Sequence, residues 1–366
     1  MMSTLRLYFD LGGDSCRYLH QLCDKFEQQH GVEIQRTNLE IHALQEQLTR
    51  GHDLPEMALL PSDMISWADT LQLSAIPAQW QLPEISSLCL ATLQHQSLQL
   101  GIPVLAGNHL LLFYDKRRDV PPKDWQTVLT NNHNNEHWCC GIDFEEPYWL
   151  IPFLLRFFGW PIGQKCLHLN SPAMQHALQL RQLLQRRNRL RHYHFDGELS
   201  QALVSGEVPA IITGEWEYAA LQQALGEHLG VAPLPSYQGL SCRSFFSTIG
   251  LVFPGLSLQG PHAPLLQRFA QWLLAADNQS GWQHQARRHP ACGSNAASES
   301  LPDWQTIELS MDECCVMPNH QLMNQAWQAM AYGLKGCNNL PLRPPGRLGQ
   351  QMQHFTTLSA QRRMQS

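Results

Sequence analysis

The pattern of apolar and polar positions in the first 65 residues predicts strands and helices in alternation. Leu5–Asp10 alternates as a strand does, and Val32–Gln35 and Met57–Leu60 are two further short strands. Between them, Tyr18–His30 and Leu39–Arg50 carry apolar residues at helical spacing, and a glycine that can end a helix follows each. The third strand is apolar throughout, as in a parallel sheet that is covered on both faces. The order β-α-β-α-β predicts a doubly wound α/β unit.

The middle of the chain continues with elements of both kinds. Gly101–Val104, Leu110–Tyr114 and Ala210–Ile212 have the apolar character of buried strands. A helix is predicted from Ser171 to Arg191, because serine is a preferred N-cap and a proline stands at the first helical position. Its arginine-rich end suits the negative end of a helix dipole. Two further helices are predicted over Leu265–Leu274 and Leu322–Tyr332, and the segment 340–349 with the tail after it is predicted to be peripheral.

Composition excludes several classes of protein. A chain of 366 residues suggests two compact units or one large one, and 43% hydrophobic residues exclude a disordered chain. The net charge of −6 gives no support for a nucleic-acid partner. No segment reaches the ~18 uninterrupted apolar residues of a membrane span, so we expect no membrane insertion.

The cysteines and the N-terminus bear on the cellular compartment. The chain has 11 cysteines, an odd number, with two adjacent pairs and no CxxC motif. This pattern does not suit a set of structural disulfides, and it is typical of a protein in a reducing compartment. The first residues also lack the pattern of a secretory signal. We therefore expect a cytoplasmic protein as the chain is written, and a periplasmic one if a signal was removed or the start is mis-assigned.

Five segments, in order along the chain, carry a resemblance to a known family. They are Phe26–Val32, Leu54–Leu60 with Asp63, Gly101–Pro103 through Leu112–Lys116 and Pro121–Trp125, Glu146–Tyr148 with Pro152, and Ala202–Ile211 with Gly214–Trp216. Together they resemble the bacterial extracellular solute-binding protein family 1, the maltose-binding-protein-like substrate-binding proteins of ABC transporters. The resemblance spans about residues 5–335, and it is the ordered set, not any one motif, that is specific.

The resemblance implies a type II periplasmic-binding-protein fold, in which two α/β lobes are joined by a hinge of two or three crossovers. A ligand between the lobes would then favour a closed state. We place lobe 1 at residues 1–108 plus 247–298 and lobe 2 at residues 109–246 plus 299–366. Three places depart from the family pattern. Ser15 stands where a basic residue is common, Asn108 where the maltose binder has an acidic residue, and Leu60-Pro61 where an aromatic residue precedes Asp63. The fold therefore carries over better than the identity of the ligand.

Seven residues are candidate ligand contacts. A sugar ring offers an apolar face and a rim of hydroxyls, so aromatic rings suit the face, and carboxylates and amides suit the rim. We assign the face to Tyr148, Trp216 and Trp327, and the rim to Asp14, Asp63, Asn108 and Glu146. Structural alternatives stay open: helix caps for Asp14 and Asp63, a turn for Asn108, and core packing for Trp216 and Trp327. The other tryptophans, including Trp149 and Trp160, are predicted to be packing residues.

No pattern in the sequence points to catalysis. GxSxG, HExxH, GxxxxGK[ST] and GxGxxG are all absent. Glu145 and Glu146 are the best carboxylate pair for glycoside hydrolysis, but neighbours on an extended chain point to opposite faces. His192 and His194 would share one face of a strand, as a metal pair does, but the sequence shows no third ligand. We therefore predict no enzyme, no metal and no cofactor.

The predicted function is the non-catalytic binding of a small polar ligand, above all an oligosaccharide. The protein would serve an ABC-type sugar uptake system or be a cytosolic paralogue of such a component. The expected partners are the small-molecule ligand and an ABC permease or a regulatory protein. The alternatives are an intracellular sugar sensor, an interaction module with a degenerate cleft and, least favoured, a glycoside hydrolase.

Overall fold

The computed structural model describes residues 3–118, 120–130, 138–292, 303–339 and 342–363, with side chains up to residue 355. The chain divides into two compact units, each built from three segments. Unit 1 comprises Met1–Asn108, Phe246–Leu301 and Val316–Gln321. Unit 2 comprises His109–Phe245, Pro302–Cys315 and Leu322–Ser366.

Strands and helices alternate along most of the described chain. The strands are β1 (Ser3–Phe9), β2 (Val32–Asn38), β3 (Met57–Pro61), β4 (Gln94–His95), β5 (Leu98–Gln99), β6 (Gly101–Gly107), β7 (Leu110–Asp115), β8 (Cys140–Ile142), β9 (Leu190–His192), β10 (Ala210–Gly214), β11 (Leu229–Ala232), β12 (Phe245–Val252), β13 (His289–Pro290) and β14 (Cys315–Val316). The α-helices are α1 (Gly13–His30), α2 (Ile41–Thr49), α3 (Ala68–Leu71), α4 (Ser87–Thr92), α5 (Trp125–Thr130), α6 (Ile151–Arg156), α7 (Pro172–Arg186), α8 (Glu198–Val204), α9 (Tyr218–Leu225), α10 (Ala263–Leu273), α11 (Ala276–Ala286), α12 (Trp304–Asp312), α13 (Gln321–Leu334) and α14 (Pro345–Arg363).

Unit 1 is built on a mixed sheet with the order β13-β6-β12-β3-β1-β2, and β14 also pairs with β12. β1 runs parallel to both β2 and β3, with α1 and α2 as the crossovers, so the predicted β-α-β-α-β unit is confirmed. β12 is antiparallel to β3 and to β6. Because of this, β1, β3 and β6 all run in one direction, and their carboxyl ends lie at the same edge of the sheet.

The apolar face of α1 packs on the two helices α10 and α11 of the same unit. The ring of Phe26 lies 5.0 Å from that of Phe269, edge to face. Tyr18 contacts the ring of Trp282 at the same separation, and its hydroxyl donates to the carbonyl of Asn278 at 2.9 Å. Each fully buried aromatic side chain contributes about 1.5–3 kcal/mol to folding, so this face anchors the helix that follows β1.

Unit 2 has a second sheet, with the order β11-β7-β10-β8-β9. β7 is antiparallel to its neighbours β10 and β11, whereas β8 is parallel to β10 and to β9. The carboxyl ends of β8, β9 and β10 therefore lie at one edge of this sheet. The mixed α/β fold class predicted from the sequence is confirmed in both units.

One predicted boundary is wrong. α7 begins as expected, where the hydroxyl oxygen of Ser171 accepts from the N–H of Met174 at 3.2 Å. It ends at Arg186 rather than at Arg191, because Asn188 adopts a left-handed backbone with φ of +54°. The residues after this turn form β9, which pairs with β8. The arginine-rich segment thus divides between a helix end and a strand.

The C-terminal segment is also less peripheral than predicted. α14 packs against α7, and its side chains Leu348 and Met352 are fully buried. The amide nitrogen of Gln182 on α7 donates to the carbonyl of Arg343 just before α14, at 2.7 Å. Helices α7 and α14 therefore form part of one packed layer in unit 2.

All 11 cysteines are free thiols, and most of them are buried. Burial raises the pKa of Cys139 and Cys89 to about 11. Within the described ranges, no helix combines the length and the apolar character that crossing a membrane would require.

Candidate functional site

Three half-buried aromatic side chains lie together in unit 2. The ring of Tyr148 is centred 6.4 Å from the ring of Trp216 and 6.0 Å from that of Trp327, with tilted planes. Each of the three keeps part of its surface exposed. The structure therefore brings together the three rings that the sequence analysis assigned to a ligand face, and we call this set the aromatic platform.

Trp216 is placed by the turn at the carboxyl end of β10. It lies in a 3₁₀ turn over Glu215–Glu217, and the N–H of Glu215 donates to the carbonyl of His109 at 3.0 Å. The indole ring lies directly over Gly214, where an added Cβ would be 2.1 Å from ring atoms. Only glycine at this position leaves room for the ring.

Tyr148 is placed by the turn at the carboxyl end of β8. The carboxylate of Glu146 caps a short 3₁₀ helix by accepting from the N–H of Tyr148 at 3.3 Å. The hydroxyl of Tyr148 donates to the carbonyl of Phe245 at 3.3 Å. The next residue, Trp149, is buried, and its indole N–H donates to the carbonyl of Ile212 at 2.6 Å. Trp149 is a packing residue, as predicted, and it fixes the backbone beneath the platform.

Trp327 reaches the platform from a different element, α13. Its ring centre lies 6.3 Å from that of Phe245, and the side chain is half-buried. Neighbouring positions on the same helix, such as Ala326 and Met330, are fully buried. Trp327 thus packs on the core with one part of its ring and leaves another part open.

The three polar candidates of unit 1 lie at one edge of its sheet. Asp14 follows β1, Asp63 follows β3 and Asn108 follows β6, and these three strands run in the same direction. Open α/β sheets bind their ligands at the carboxyl ends of the strands. The topology therefore collects the three residues where such a sheet presents its functional groups.

Asp14 is not a helix cap. The N-cap of α1 is Gly12, and Asp14 lies in the first turn, where a carboxylate interacts favourably with the helix dipole. Its carboxylate pairs with the guanidinium of Arg17. In the family pattern a basic residue is common at position 15, which is Ser15 here. In this chain the basic residue beside Asp14 is Arg17, one helical turn later. The i, i+3 spacing of the two charges is a signal that the sequence itself contains.

The other two residues of this edge also differ from simple caps. Asp63 lies in a 3₁₀ helix whose N-cap is Pro61, and its side chain is half-buried. Asn108 has a left-handed backbone with φ of +47°, which asparagine tolerates better than most residues. Its amide nitrogen donates to the hydroxyl of Ser247 at 3.0 Å. Asn108 therefore serves the turn after β6 and presents an amide at the same edge.

The candidate residues thus form one set in each unit, with Asp14, Asp63 and Asn108 in unit 1 and Glu146, Tyr148, Trp216 and Trp327 in unit 2. Their assignment to ligand contacts stays a prediction.

The two neighbouring glutamates considered for glycoside hydrolysis both serve the backbone. The carboxylate of Glu145 accepts from the N–H of Gly336 at 3.0 Å, and that of Glu146 caps the turn of Tyr148. A general acid and base would have to be aimed at a substrate oxygen and at a water. These hydrogen bonds give the hydrolase hypothesis no support.

Asp143 joins the two histidines for which the sequence offered no third ligand. One potential ligand atom from each of Asp143, His192 and His194 lies within 4.8 Å of the other two. The structure thus supplies a third group that the sequence did not reveal. The missing signal is non-local, because Asp143 follows β8 and the histidines lie at the end of β9.

The hydrogen bonds around Asp143 give this cluster a structural role. Its carboxylate accepts from the N–H groups of Glu145, Glu146 and Phe195 at 2.8, 3.1 and 3.0 Å. Nδ1 of His192 accepts from the N–H of Phe144 at 3.1 Å. Burial lowers the pKa of His192, so its imidazole stays neutral at neutral pH. The cluster holds together the turns after β8 and β9, and the first of these turns leads to Tyr148.

Trp160, which was predicted to be a packing residue, packs with part of its ring and is 38% exposed. Its ring lies 5.8 Å from that of Phe245, which in turn contacts Trp327. No periodic pattern marks this position in the sequence, because Trp160 lies in the irregular segment between α6 and α7.

The sequence profile of a family described as bacterial extracellular solute-binding protein matches residues 21–308, which is most of the chain. A comparison with curated protein sequences finds no significant match.

Two solved structures illustrate the fold likeness. The maltose/maltodextrin-binding domain MalE from Bdellovibrio bacteriovorus, bound to maltotriose, superposes with a TM-score of 0.83 at 19% identity, covering 98% of this chain and 100% of that one. The GacH receptor of Streptomyces glaucescens, determined unliganded and in complex with acarbose, gives a TM-score of 0.85 at 14% identity, covering 97% of each chain. At these identities the likeness establishes the fold.

Proposed function

The chain belongs to the bacterial extracellular solute-binding protein family, and from this premise we propose that it binds a carbohydrate on the aromatic platform without chemical change. The observation that carries the proposal is the convergence of Tyr148, Trp216 and Trp327. These rings come from three distant parts of the chain. The ring centre of Tyr148 lies 6.4 Å from that of Trp216 and 6.0 Å from that of Trp327, and all three side chains are half-buried.

The chemistry of the platform suits a sugar. The C–H face of a pyranose packs on flat aromatic rings, and the hydroxyl rim needs charged or amide partners. Glu146 stands two residues before Tyr148 and supplies a carboxylate beside the rings. For unit 1 we propose that Asp14, Asp63 and Asn108 offer their polar groups to sugar hydroxyls at the sheet edge.

Similar proteins support an oligosaccharide as the ligand. One structural relative holds maltotriose and the other acarbose, so both titles name oligosaccharides or their analogues. A micromolar dissociation constant corresponds to about −8 kcal/mol, which a few stacked rings with charge-assisted hydrogen bonds can supply.

The test is calorimetric titration of the protein with maltotriose, acarbose and a panel of other oligosaccharides. We expect at least one of them to bind, to raise the melting temperature and to change tryptophan fluorescence. Trp216→Ala and Tyr148→Ala should each weaken that binding by about tenfold or more, because each removes a stacking surface. Trp80→Ala is a matched control, since Trp80 is a half-buried tryptophan of unit 1 that packs on Phe253.

Two outcomes would refute the proposal. One is the absence of binding by every sugar of the panel, and the other is full affinity in both platform variants. The non-catalytic part is checked in the same samples, because sugar recovered intact after long incubation excludes hydrolysis.

We further propose transport as the physiological role, with an ABC permease as the partner of the loaded protein. Family membership and the fold support this role, and the alternatives are a sugar sensor or an interaction module. Deleting the gene should lower uptake of the bound sugar by the native host, and unchanged uptake would favour a sensor. The cytoplasmic location expected from the sequence stays a prediction, which cell fractionation can decide.

A further inference from the structure

A pocket in unit 2 has a chemistry different from that of the aromatic platform. It has a volume of about 670 Å³ and lies at the N-terminal end of α7. Its lining includes Arg156, His168 and His176, and none of the described residues that line it is acidic. In a chain with a net charge of −6, this local excess of basic groups needs an explanation.

Arg156 is the most informative residue of the pocket, because it is only 6% exposed. Its Nε donates to the carbonyl of Tyr237, and its guanidinium lies 5.2 Å from the ring centre of Phe157 and 5.4 Å from that of Tyr237. Within the described residues, no carboxylate pairs with it. Buried charges are normally paired. In the described part of the chain only Nε of Arg156 has a hydrogen-bond partner, which leaves its terminal N–H groups available to a ligand.

The start of α7 adds a second source of positive potential. Ser171, Pro172 and Ala173 line the pocket, and they are the N-cap and the first two residues of a 15-residue helix. The N-terminus of a helix carries a partial positive charge and unpaired N–H groups, which favour anions. The hydroxyl of Ser171 already accepts a backbone N–H, so its own proton remains available to a ligand.

We propose that this pocket binds the anionic group of a small solute, a carboxylate or a phosphate. The planar guanidinium of Arg156 can donate two parallel hydrogen bonds to such a group, and the helix start faces the same space. The pocket adjoins the platform through Trp160, which lines it and contacts Phe245 beside Trp327. An acidic sugar could therefore place its ring and its charge on neighbouring surfaces, although the pocket does not depend on the proposed sugar site.

The test measures binding of inorganic phosphate, glucuronate and glucose at constant ionic strength, by calorimetry and melting temperature. We expect at least one of the two anions to bind and to raise the melting temperature, and we expect saturating glucose to leave the affinity for phosphate unchanged. Arg156→Gln should lower anion affinity at least tenfold. Arg186→Gln is the matched control, because it removes an exposed charge from the opposite end of the same helix.

A second variant guards against a folding defect in Arg156→Gln. Ala173→Asp places a carboxylate in the first turn of α7, where it stabilises the helix, and sets it against the anion. We expect this variant to melt no lower than the wild type and to lose the anion response.

The proposal is overturned if neither anion binds, if glucose displaces phosphate, if Arg156→Gln and Arg186→Gln bind the anions equally well, or if Ala173→Asp responds as the wild type does. Phosphate binding is measured in the absence of sugar, so this result does not depend on whether the platform binds maltotriose. Conversely, if the protein binds maltotriose but neither anion, the proposed sugar binding is supported and the anion pocket is refuted.

Discussion

The two units present the same kind of sheet edge with different chemistry. In unit 1 the strand ends are followed by the polar residues Asp14, Asp63 and Asn108, whereas in unit 2 they are followed by Tyr148 and Trp216. Both edges arise in the same way, from strands that run in one direction. The difference teaches that topology decides where side chains gather, and that the short turn after each strand decides what they can bind.

The two edges also differ in how their backbones present the candidate residues. Unit 2 uses Gly214 to make room for a large ring, while unit 1 uses Asn108 in a left-handed turn to present a small amide. From this contrast we expect unit 2 to supply most of the ligand affinity through apolar contact, and unit 1 to contribute smaller polar terms.

The largest expected effect concerns acid stability, because each unit holds a half-buried histidine whose pKa is lowered. Burial lowers the pKa of His289 in unit 1 to about 4, and burial also lowers the pKa of His192 in unit 2. In the unfolded chain both side chains have a pKa of about 6.5, so below that pH the unfolded state binds more protons. Stability must therefore fall as the pH drops from 6.5 towards 4, and His289 alone accounts for a loss of about 2 kcal/mol between pH 7 and pH 5.

Urea unfolding at pH 7 and pH 5 measures this loss. His289→Gln should flatten the pH dependence, because the pKa of about 4 lies far below that of histidine in the unfolded chain. His192→Gln should flatten it in the same direction, because burial also lowers the pKa of His192. An unchanged pH slope in His289→Gln would show that this histidine does not set the acid sensitivity.

A smaller effect is expected from Gly214→Ala in unit 2. The new methyl group would meet the ring of Trp216 at 2.1 Å, so the ring must leave its position. We expect sugar affinity to fall about tenfold. Stability should fall by about 1 kcal/mol, the low end of the cost of overpacking, because the half-buried ring can move into open space. Gly346→Ala in the same unit offers a comparison, since its backbone is not in the left-handed region and nothing lies within 4 Å of an added Cβ. Unchanged affinity in Gly214→Ala would mean that the ring position does not matter for binding.

The smallest effect is expected at the polar edge of unit 1. Asp14→Asn breaks the ion pair with Arg17, which costs less than about 1 kcal/mol of stability at such an exposed site. Sugar affinity should drop a few-fold if Asp14 contacts the ligand. Glu46→Gln removes a comparable exposed ion pair with Arg50 on α2 and should leave affinity unchanged. Equal affinities in the two variants would remove Asp14 from the binding site.

Local patterns allowed much of the fold to be predicted. The alternation of the first three strands with α1 and α2 and the serine-proline start of α7 are signals contained within a few residues. The end of α7 was missed because arginine is compatible with a helix end and with a strand, and the left-handed turn at Asn188 carries no strong sequence signal.

The site was less predictable, because its parts are distant in sequence. Residue chemistry marked Tyr148, Trp216 and Trp327 as candidates, but only the family resemblance suggested that they belong together. Asp143 escaped notice beside His192 and His194 since their proximity depends on the pairing of β8 with β9. Arg156 escaped for the same reason, as no sequence pattern reveals a buried cation without a carboxylate.

The position of β12 has a consequence for how the chain is made. This strand lies between β3 and β6 in the sheet of unit 1, yet it follows them by well over a hundred residues. At the usual speed of synthesis of 5–20 residues per second, roughly ten seconds pass before it leaves the ribosome. During that time β3 and β6 each have an open edge, which can pair with another chain. Nascent chains that stall before residue 252 should therefore be the ones that depend most on a chaperone.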